Sequence, residues 1–585
     1  MILKSLLLQP LGPALVLAIA GVLLALMRRL GRGVATWAGA QAIQPARWQP
    51  WPYALRLPFA LLGVVSAAAV LVWFRRSGAE GMTGWQWQPL TVAGSTLEWR
   101  LDGWNWLVSG LILLLAAAAL LLDDEYPRPA GQSRSPAAAR SRRLDLLGTE
   151  VERTLWLAAA ALVFVCSANV LTLACSWIVL DAALAIRLRP GLSPEPAGRA
   201  WSLLALSAML VLLLLFFLGE SGLRAALTGH AFSRGELTLL WTLGLVRAGA
   251  YPLHFWLTGP GSTSRPMRIA LSLIAPAAGL WLLVRVYGLG ETGWLRRPEW
   301  AALGVLALLG TALVAWATED ETWRWRWIVL NRSGLVVMAA YVAGLSGPQA
   351  LIWALLAFAL GGALLLVAQA LAQDTGRRAF VWAAAFLVWG FPGAPGFLAR
   401  TGLVFPTGMA LAVPLFVLML LAEVLFVAAL WQTAAAAPAR PAQPRPNIIV
   451  IQLLLTFGLL AVSLLAWGLA PRLIVGFVAL PGDEALRTLG GIIVGARRSV
   501  WAGLALSGVL GAALGLFRQR IFGQMRGWQS AIGGIASLDW LYQSIVAGLA
   551  VVGNALRYFA VLGEGEGYLG WLALASLILW VLVRG

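Results

Sequence analysis

Lysine is almost absent from this 585-residue sequence. Lys4 is the only lysine among 43 basic residues, so nearly every cationic side chain is an arginine. Charged residues of either sign make up only 12% of the chain, whereas 60% of it is hydrophobic and the mean hydropathy is +0.81. Such a composition excludes a soluble domain and a disordered chain.

Cysteine is also scarce. Cys166 and Cys175 both lie in apolar runs, so neither a disulfide framework nor a metal cluster is expected. The sequence contains no CxxC pair, no cluster with metal-ligand spacing and no phosphate-binding glycine loop after a strand. We therefore expect no metal and no small-molecule cofactor on this chain, and any redox centre would belong to a partner subunit.

The formal net charge of +18 does not point to nucleic acid as a partner. Most arginines fall between apolar runs, as the positive-inside rule predicts for cytoplasmic loops. We expect a multi-pass protein of the cell (inner) membrane with its N-terminus outside and the loops 123–153 and 432–446 in the cytoplasm. Labelling of a cysteine placed at Ser135 by an impermeant reagent added outside would contradict this orientation.

The apolar runs predict an all-α polytopic membrane protein with about 16 transmembrane helices. Two of the predicted helices are interrupted, five helices apart, which is typical of two inverted five-helix repeats. The predicted divisions are N-terminal helices one to three (1–122), an arginine-rich cytoplasmic linker (123–153), the first repeat (154–290), the second repeat (299–433), helices fourteen and fifteen (434–536), and a short lateral helix with a final transmembrane anchor (537–585).

The first predicted break lies in LVRAGAYPLHFWL, residues 245–257. Pro252 removes a backbone donor and clashes with the preceding turn, so the helix should break there. Arg247 and His254 flank the proline, and ionisable groups at a helix break in a membrane mark ion pathways. The alternative is a packing kink with an arginine paired to a neighbouring helix.

The second predicted break lies in GFPGAPGFLAR and contains Pro392, Pro395 and Arg400. Two acids, Asp181 and Glu423, fall within other predicted helices. A lone carboxylate there costs several kcal/mol unless it is protonated or paired. Glu423 is therefore either a partner in a static ion pair, with Arg400 as a candidate, or a proton-binding site.

These motifs resemble the antiporter-like subunits of respiratory complex I. The resemblance is carried by RAGAYPLHFWL (247–257) and GFPGAPGFLAR (390–400), and is supported by RLDGWNWLVSGLILLL (100–115), NVLTLACSWIVLDAALA (169–185), EDETWRWRWIVLNRSGLVVM (319–338), LDWLY (538–542) and GYLGWLALASLILWVL (567–582). It implies a proton path made of a glutamate, buried lysines, histidines and waters.

Carried over residue by residue, that path is degraded in this chain. The resemblance implies that Asp181, one turn after the family's glutamate position, pairs with Arg247. Arginine keeps its proton to above roughly pH 12 and is a poor proton carrier. The family positions correspond to Ile178 (glutamate), Arg247 and Arg400 (lysines at the breaks), Leu271 or Ser272 (histidine), Gly362 (lysine) and Phe358 (histidine).

The resemblance favours an antiporter-like, proton-translocating membrane subunit of a complex I-like (NADH:quinone oxidoreductase) assembly, with a degraded relay. Its partners would be other membrane subunits and the lipid bilayer. The segment 538–562 is long enough, at about 36 Å and 1.5 Å per residue, to lie along the membrane or to cross it, and the resemblance favours the lateral placement. The alternatives are a non-pumping scaffold of the same fold, or the membrane subunit of a cation/proton antiporter, a membrane hydrogenase or an inorganic-carbon uptake complex.

Overall fold

The computed structural model describes most of the chain. The described residues are 9–40, 50–76, 97–123, 149–188, 194–223, 226–227, 231–257, 264–289, 294, 297–403, 412–438, 447–478, 489–517, 520, 523, 526–564 and 576. Parts of the predicted linker 123–153 and of the loop 432–446, and nearly all of the predicted final anchor 568–583, lie outside the described residues.

Helices account for almost all of the described structure. The first eight are α1 Gly12–Ala40, α2 Pro50–Arg76, α3 Gly103–Leu121, α4 Glu150–Val165, α5 Val170–Leu188, α6 Pro194–Leu223, α7 Arg234–Ala248 and α8 Arg265–Leu289. The next ten are α9 Pro298–Ala317, α10 Glu321–Ser346, α11 Gln349–Thr375, α12 Ala379–Trp389, α13 Pro395–Gly402, α14 Ala412–Ala436, α15 Asn447–Leu469, α16 Pro471–Val478, α17 Leu489–Gly495 and α18 Arg498–Leu516.

These helices belong to the larger of two units, Met1–Arg526. The smaller unit, Gly527–Gly585, contains most of α19 (Arg526–Ala536) and all of α20 (Asp539–Glu564). Helix α20 covers the segment predicted as lateral with one continuous helix of 26 residues. Its placement relative to the membrane stays a prediction.

The expectation of a helical membrane protein is confirmed. Within the described part of the chain, 11 helices are long and apolar enough to cross a bilayer. The only extended pairing described there consists of two isolated bridges, Trp99 with Ser167 and Asn169 with Ala226. The first bridge joins the segment before α3 to the turn between α4 and α5. The second bridge joins the same turn to the segment after α6.

A helix break lies near each predicted position, and a left-handed glycine follows the last helical residue at each. Helix α7 stops at Ala248 because Gly249 takes the left-handed conformation (φ 59°), before Pro252 is reached. Helix α12 ends in the same way at Gly390 (φ 112°), and α13 begins with Pro395 at its first position. Proline suits a first helical position because its missing N–H would be unpaired there. Ala248 lies four residues before Pro252, and its carbonyl is the group with which a proline at that position would clash in a continuous helix.

Two long helices each contain one π-helical turn. In α8 the turn covers Ala270–Ile274, and in α11 it covers Ala357–Gly361. Such turns inside α-helices are frequent at functional sites. Both lie at the positions where the resemblance places titratable residues.

The backbones of α7 and α8 meet at Gly279. A Cβ atom there would lie 2.2 Å from the backbone nitrogen of Ala248 and 2.6 Å from the carbonyl carbon of Arg247. Only a glycine permits this approach, so Gly279 fixes the position of the helix end that carries Arg247.

We predict that Gly279→Ala destabilises the protein by about 1–3 kcal/mol through overpacking. Gly288→Ala is the matched control on α8, because a Cβ there meets nothing within 4 Å. Both changes gain about 1 kcal/mol of helix propensity, so that gain cancels in the comparison. Thermal unfolding of the two purified variants measures the difference, and equal midpoints would contradict the close approach.

Candidate functional site: two charge pairs at the helix breaks

The first charge pair joins α7 to α5. Arg247, in the last turn of α7, donates through Nη2 to Oδ1 of Asp181. The arginine side chain is fully buried, and the aspartate side chain is 16% exposed. The second carboxylate oxygen accepts a hydrogen bond of 3.5 Å from Ser207. The pair that the resemblance implied is therefore present.

An aromatic ring holds the Arg247 guanidinium from another side. Its central carbon lies 4.5 Å from the ring centre of Trp177, one turn before Asp181 on α5. A cation over a tryptophan face gains about 2 kcal/mol or more when desolvated. Ile178, at the family's glutamate position, is 70% exposed. One turn of α5 thus supplies both the acid and the ring that position Arg247.

His254 lies beyond the first break in an aromatic environment. Its side chain is fully buried, with its ring centre 5.1 Å from that of Tyr251 and 4.8 Å from that of Trp327 on α10. The Tyr251 ring is stacked on it, and the Trp327 ring approaches edge-on. The structure therefore packs His254 between its own turn and α10.

The second charge group joins α13, α14 and α10. Arg400, in the last turn of α13, donates to Glu423 of α14. Arg332 of α10 lies 3.6 Å from the same carboxylate oxygen. The sequence offered Arg400 as a candidate partner of Glu423 but did not point to Arg332. The signal for it was an arginine within the apolar run WIVLNRSGLVVM.

Both arginines of this group also bind the open end of α12. Arg332 donates to the carbonyl of Val388 at 3.0 Å, and Arg400 donates to the carbonyl of Trp389 at 2.5 Å. The last carbonyls of a helix have no partner within it. A broken helix inside a membrane needs protein or water to satisfy those groups, and here two guanidinium groups do so.

Between the two breaks, the positions of the missing relay residues carry groups that cannot titrate. Ser272 and Phe358, one on each π turn, line a cavity of about 10 Å³ together with Arg326 and Ser333 of α10. That volume holds about one water molecule. A Cβ at Gly362 would lie 2.8 Å from a methyl carbon of Leu273, so neighbouring side chains fill the family's lysine position.

Further ion pairs lie at helix ends, and the sequence analysis did not predict them. Their shortest N–O distances are between 2.5 and 3.1 Å, and the pairs are Arg28–Glu152, Arg187–Glu150, Arg285–Asp102 and Arg265–Asp374. The first three bring an arginine from another helix to an acid at the start of α4 or α3. Among the residues described, no group of three or more His, Cys, Asp and Glu side chains could hold a metal ion.

Comparison with known proteins identifies the fold but no sequence family. No protein-family model and no curated protein matches the chain. A chain of the Mrp complex from Dietzia sp. is similar at a TM-score of 0.71 and 17% identity, over 98% of this chain and 62% of that one. This chain therefore spans less than two thirds of the Mrp chain.

Two other solved structures are similar as well. A chain of the archaeal membrane-bound sulfane sulfur reductase, a respiratory membrane complex, matches at a TM-score of 0.67 and 15% identity, over 98% of this chain and 99% of that one. A chain of respiratory complex I from Thermus thermophilus matches at a TM-score of 0.54 and 19% identity, over 79% and 98%. The fold is that of membrane subunits from multi-subunit complexes. This similarity is consistent with the resemblance to antiporter-like subunits that the sequence motifs carry.

The first pair can be tested by removing its charges singly and together. Asp181→Asn leaves a buried arginine without its partner, which typically costs 3–5 kcal/mol. We expect this variant to reduce the amount of folded protein in membranes, and Asp181→Asn/Arg247→Gln to recover part of it. Quantitative immunoblots of solubilised membranes measure both. Strictly additive losses would contradict a direct pair.

Proposed function

We propose that the chain is an antiporter-like, proton-translocating membrane subunit of a complex I-like respiratory assembly, with a degraded proton relay of its own. One observation carries the proposal. In an antiporter-like fold, each of the two helix breaks holds an arginine against a partly buried carboxylate, at Asp181–Arg247 and at Glu423–Arg400.

The proposed role of these pairs is electrostatic. A relay lysine must release and regain its proton, and burial can bring its pKa towards neutrality. A guanidinium stays charged under the same conditions. Arg247 and Arg400 would therefore hold fixed positive charge, orient water and keep their acids ionised, whereas the serine and phenylalanine between the breaks would supply no titratable group.

The architecture proposed for this function has about 16 crossings in two inverted five-helix repeats, each with one break. The N-terminus would lie outside the cell (inner) membrane, and the arginine-rich loops in the cytoplasm. Asp181, Arg247 and His254 would belong to the ion pathway of the first repeat, and Arg400 and Glu423 to that of the second. The remaining subunits would supply all redox centres.

The identity of the assembly has a second candidate. The Mrp and sulfane sulfur reductase chains align with 98% of this chain at TM-scores of 0.71 and 0.67, whereas the complex I chain aligns with 79% at 0.54. These values support a multi-subunit cation/proton antiporter or a membrane-bound reductase as the second candidate beside a complex I-like assembly. Mass spectrometry of an assembly purified by a tag on this chain distinguishes them through the partner subunits.

We predict that the double variant Asp181→Asn/Arg247→Gln lowers the number of protons translocated per turnover. It removes two opposite charges together, so the ion pathway loses the electric field of the pair while its net charge stays the same. Arg247→Lys should retain the yield because it keeps the positive charge. Proton uptake by inverted membrane vesicles, divided by the turnover rate of the native assembly, measures this ratio.

The matched control is Asp374→Asn/Arg265→Gln. It removes another buried pair, with N–O distances of 3.0 and 3.2 Å, that does not lie at a helix break. We expect this control to leave the ratio unchanged at equal assembly. An unchanged ratio in Asp181→Asn/Arg247→Gln as well would favour the non-pumping scaffold and sink the translocation proposal.

A further inference from the structure

The second break holds one more positive charge than negative charge. Two arginines, Arg332 and Arg400, share the single carboxylate of Glu423. The Arg332 side chain is 1% exposed, and those of Arg400 and Glu423 are 13% and 16% exposed. At the first break, by contrast, Arg247 and Asp181 balance one to one.

The nearest dipole offsets only part of this excess. The carbonyls at the end of α12, which both arginines bind, belong to a helix C-terminus that carries about half a negative charge. Two further acids within the described helices have arginine partners of their own, namely Asp181 of α5 with Arg247 and Asp374 of α11 with Arg265. An uncompensated buried charge is strongly unfavourable. A further negative charge beside Arg332 and Arg400 would therefore stabilise the group.

The two guanidinium groups also retain hydrogen-bond donors. On each of them, Nη2 makes the contacts with Glu423 and with the end of α12. The Nε and Nη1 atoms of Arg332 and of Arg400 are buried and have no hydrogen-bond partner among the described residues. One face of the Arg332 guanidinium lies 3.6 Å from the ring centre of Phe426, so these donors point away from that ring along the guanidinium plane.

We propose that a small monovalent anion, of the size of chloride, binds at Arg332 and Arg400. Arginine suits this role because its guanidinium is permanently charged, weakly hydrated and presents donors in a rigid fork. The anion would balance the charge of the group and accept from nitrogens that otherwise have no acceptor. The partly exposed edge at Arg400 and Glu423 is the side from which it enters.

The test measures radiolabelled chloride bound to the purified native assembly in gluconate buffer at constant ionic strength. We expect Arg332→Gln to bind one chloride fewer per copy of the chain than wild type. Glu423→Gln should bind chloride more tightly, because it removes the competing carboxylate. Nitrate should displace the label, as should bicarbonate if the site selects by charge and size alone.

The matched control is Arg324→Gln, on the same helix as Arg332 but about 12 Å away. Arg324 donates to the carbonyls of Thr318 and Glu319, and its loss should leave chloride binding unchanged. If Arg332→Gln does not assemble, Arg332→Lys tests the same point, because it keeps the charge but not the fork and should weaken binding. Equal chloride stoichiometry and affinity in wild type and in the Arg332 variants would overturn the proposal.

Discussion

A guanidinium group within a membrane protein cannot shed its proton to escape burial, and the rest of this structure depends on that constraint. The chain carries nearly all of its positive charge on arginine, so each buried basic residue needs an acid, a carbonyl or an aromatic face. Arg247 has Asp181 and Trp177. Arg400 and Arg332 have Glu423 and the end of α12.

The helix breaks and the arginines stabilise one another. A helix that stops inside a membrane exposes carbonyl groups, and the two arginines at the second break donate to those carbonyls. The break in turn gives each arginine acceptors that a continuous helix lacks. At the first break, the glycine contact between α7 and α8 holds the end of α7 where Arg247 meets Asp181. Both breaks therefore place an arginine against a carboxylate, and at the second break the arginines also bind the carbonyls of the helix end.

Several elements could be predicted from the sequence because a single local feature determines them. Long apolar runs predicted the helices, and clustered glycine and proline predicted both interruptions. The sequence could not show that Gly249 ends α7 ahead of Pro252, because left-handed geometry depends on the packing of Trp256 and Leu257 around that glycine. It also could not show that Arg332 joins Glu423, since the two lie on helices whose proximity only the tertiary structure reveals. The π turns at Ser272 and Phe358 likewise left no mark in the periodicity.

If the arginines at the two breaks hold fixed positive charge, Asp181 and Glu423 should stay ionised beside them. Infrared difference spectroscopy of the purified assembly between about pH 5 and 9 measures this directly, with Asp181→Asn and Glu423→Gln used to assign the bands. Neither Asp181 nor Glu423 should then contribute a protonated-carboxyl band anywhere in that range. A carboxylic-acid band that appears within this pH range and vanishes in Asp181→Asn or Glu423→Gln would show that the acid exchanges protons. That result would contradict a fixed ion pair at the helix break.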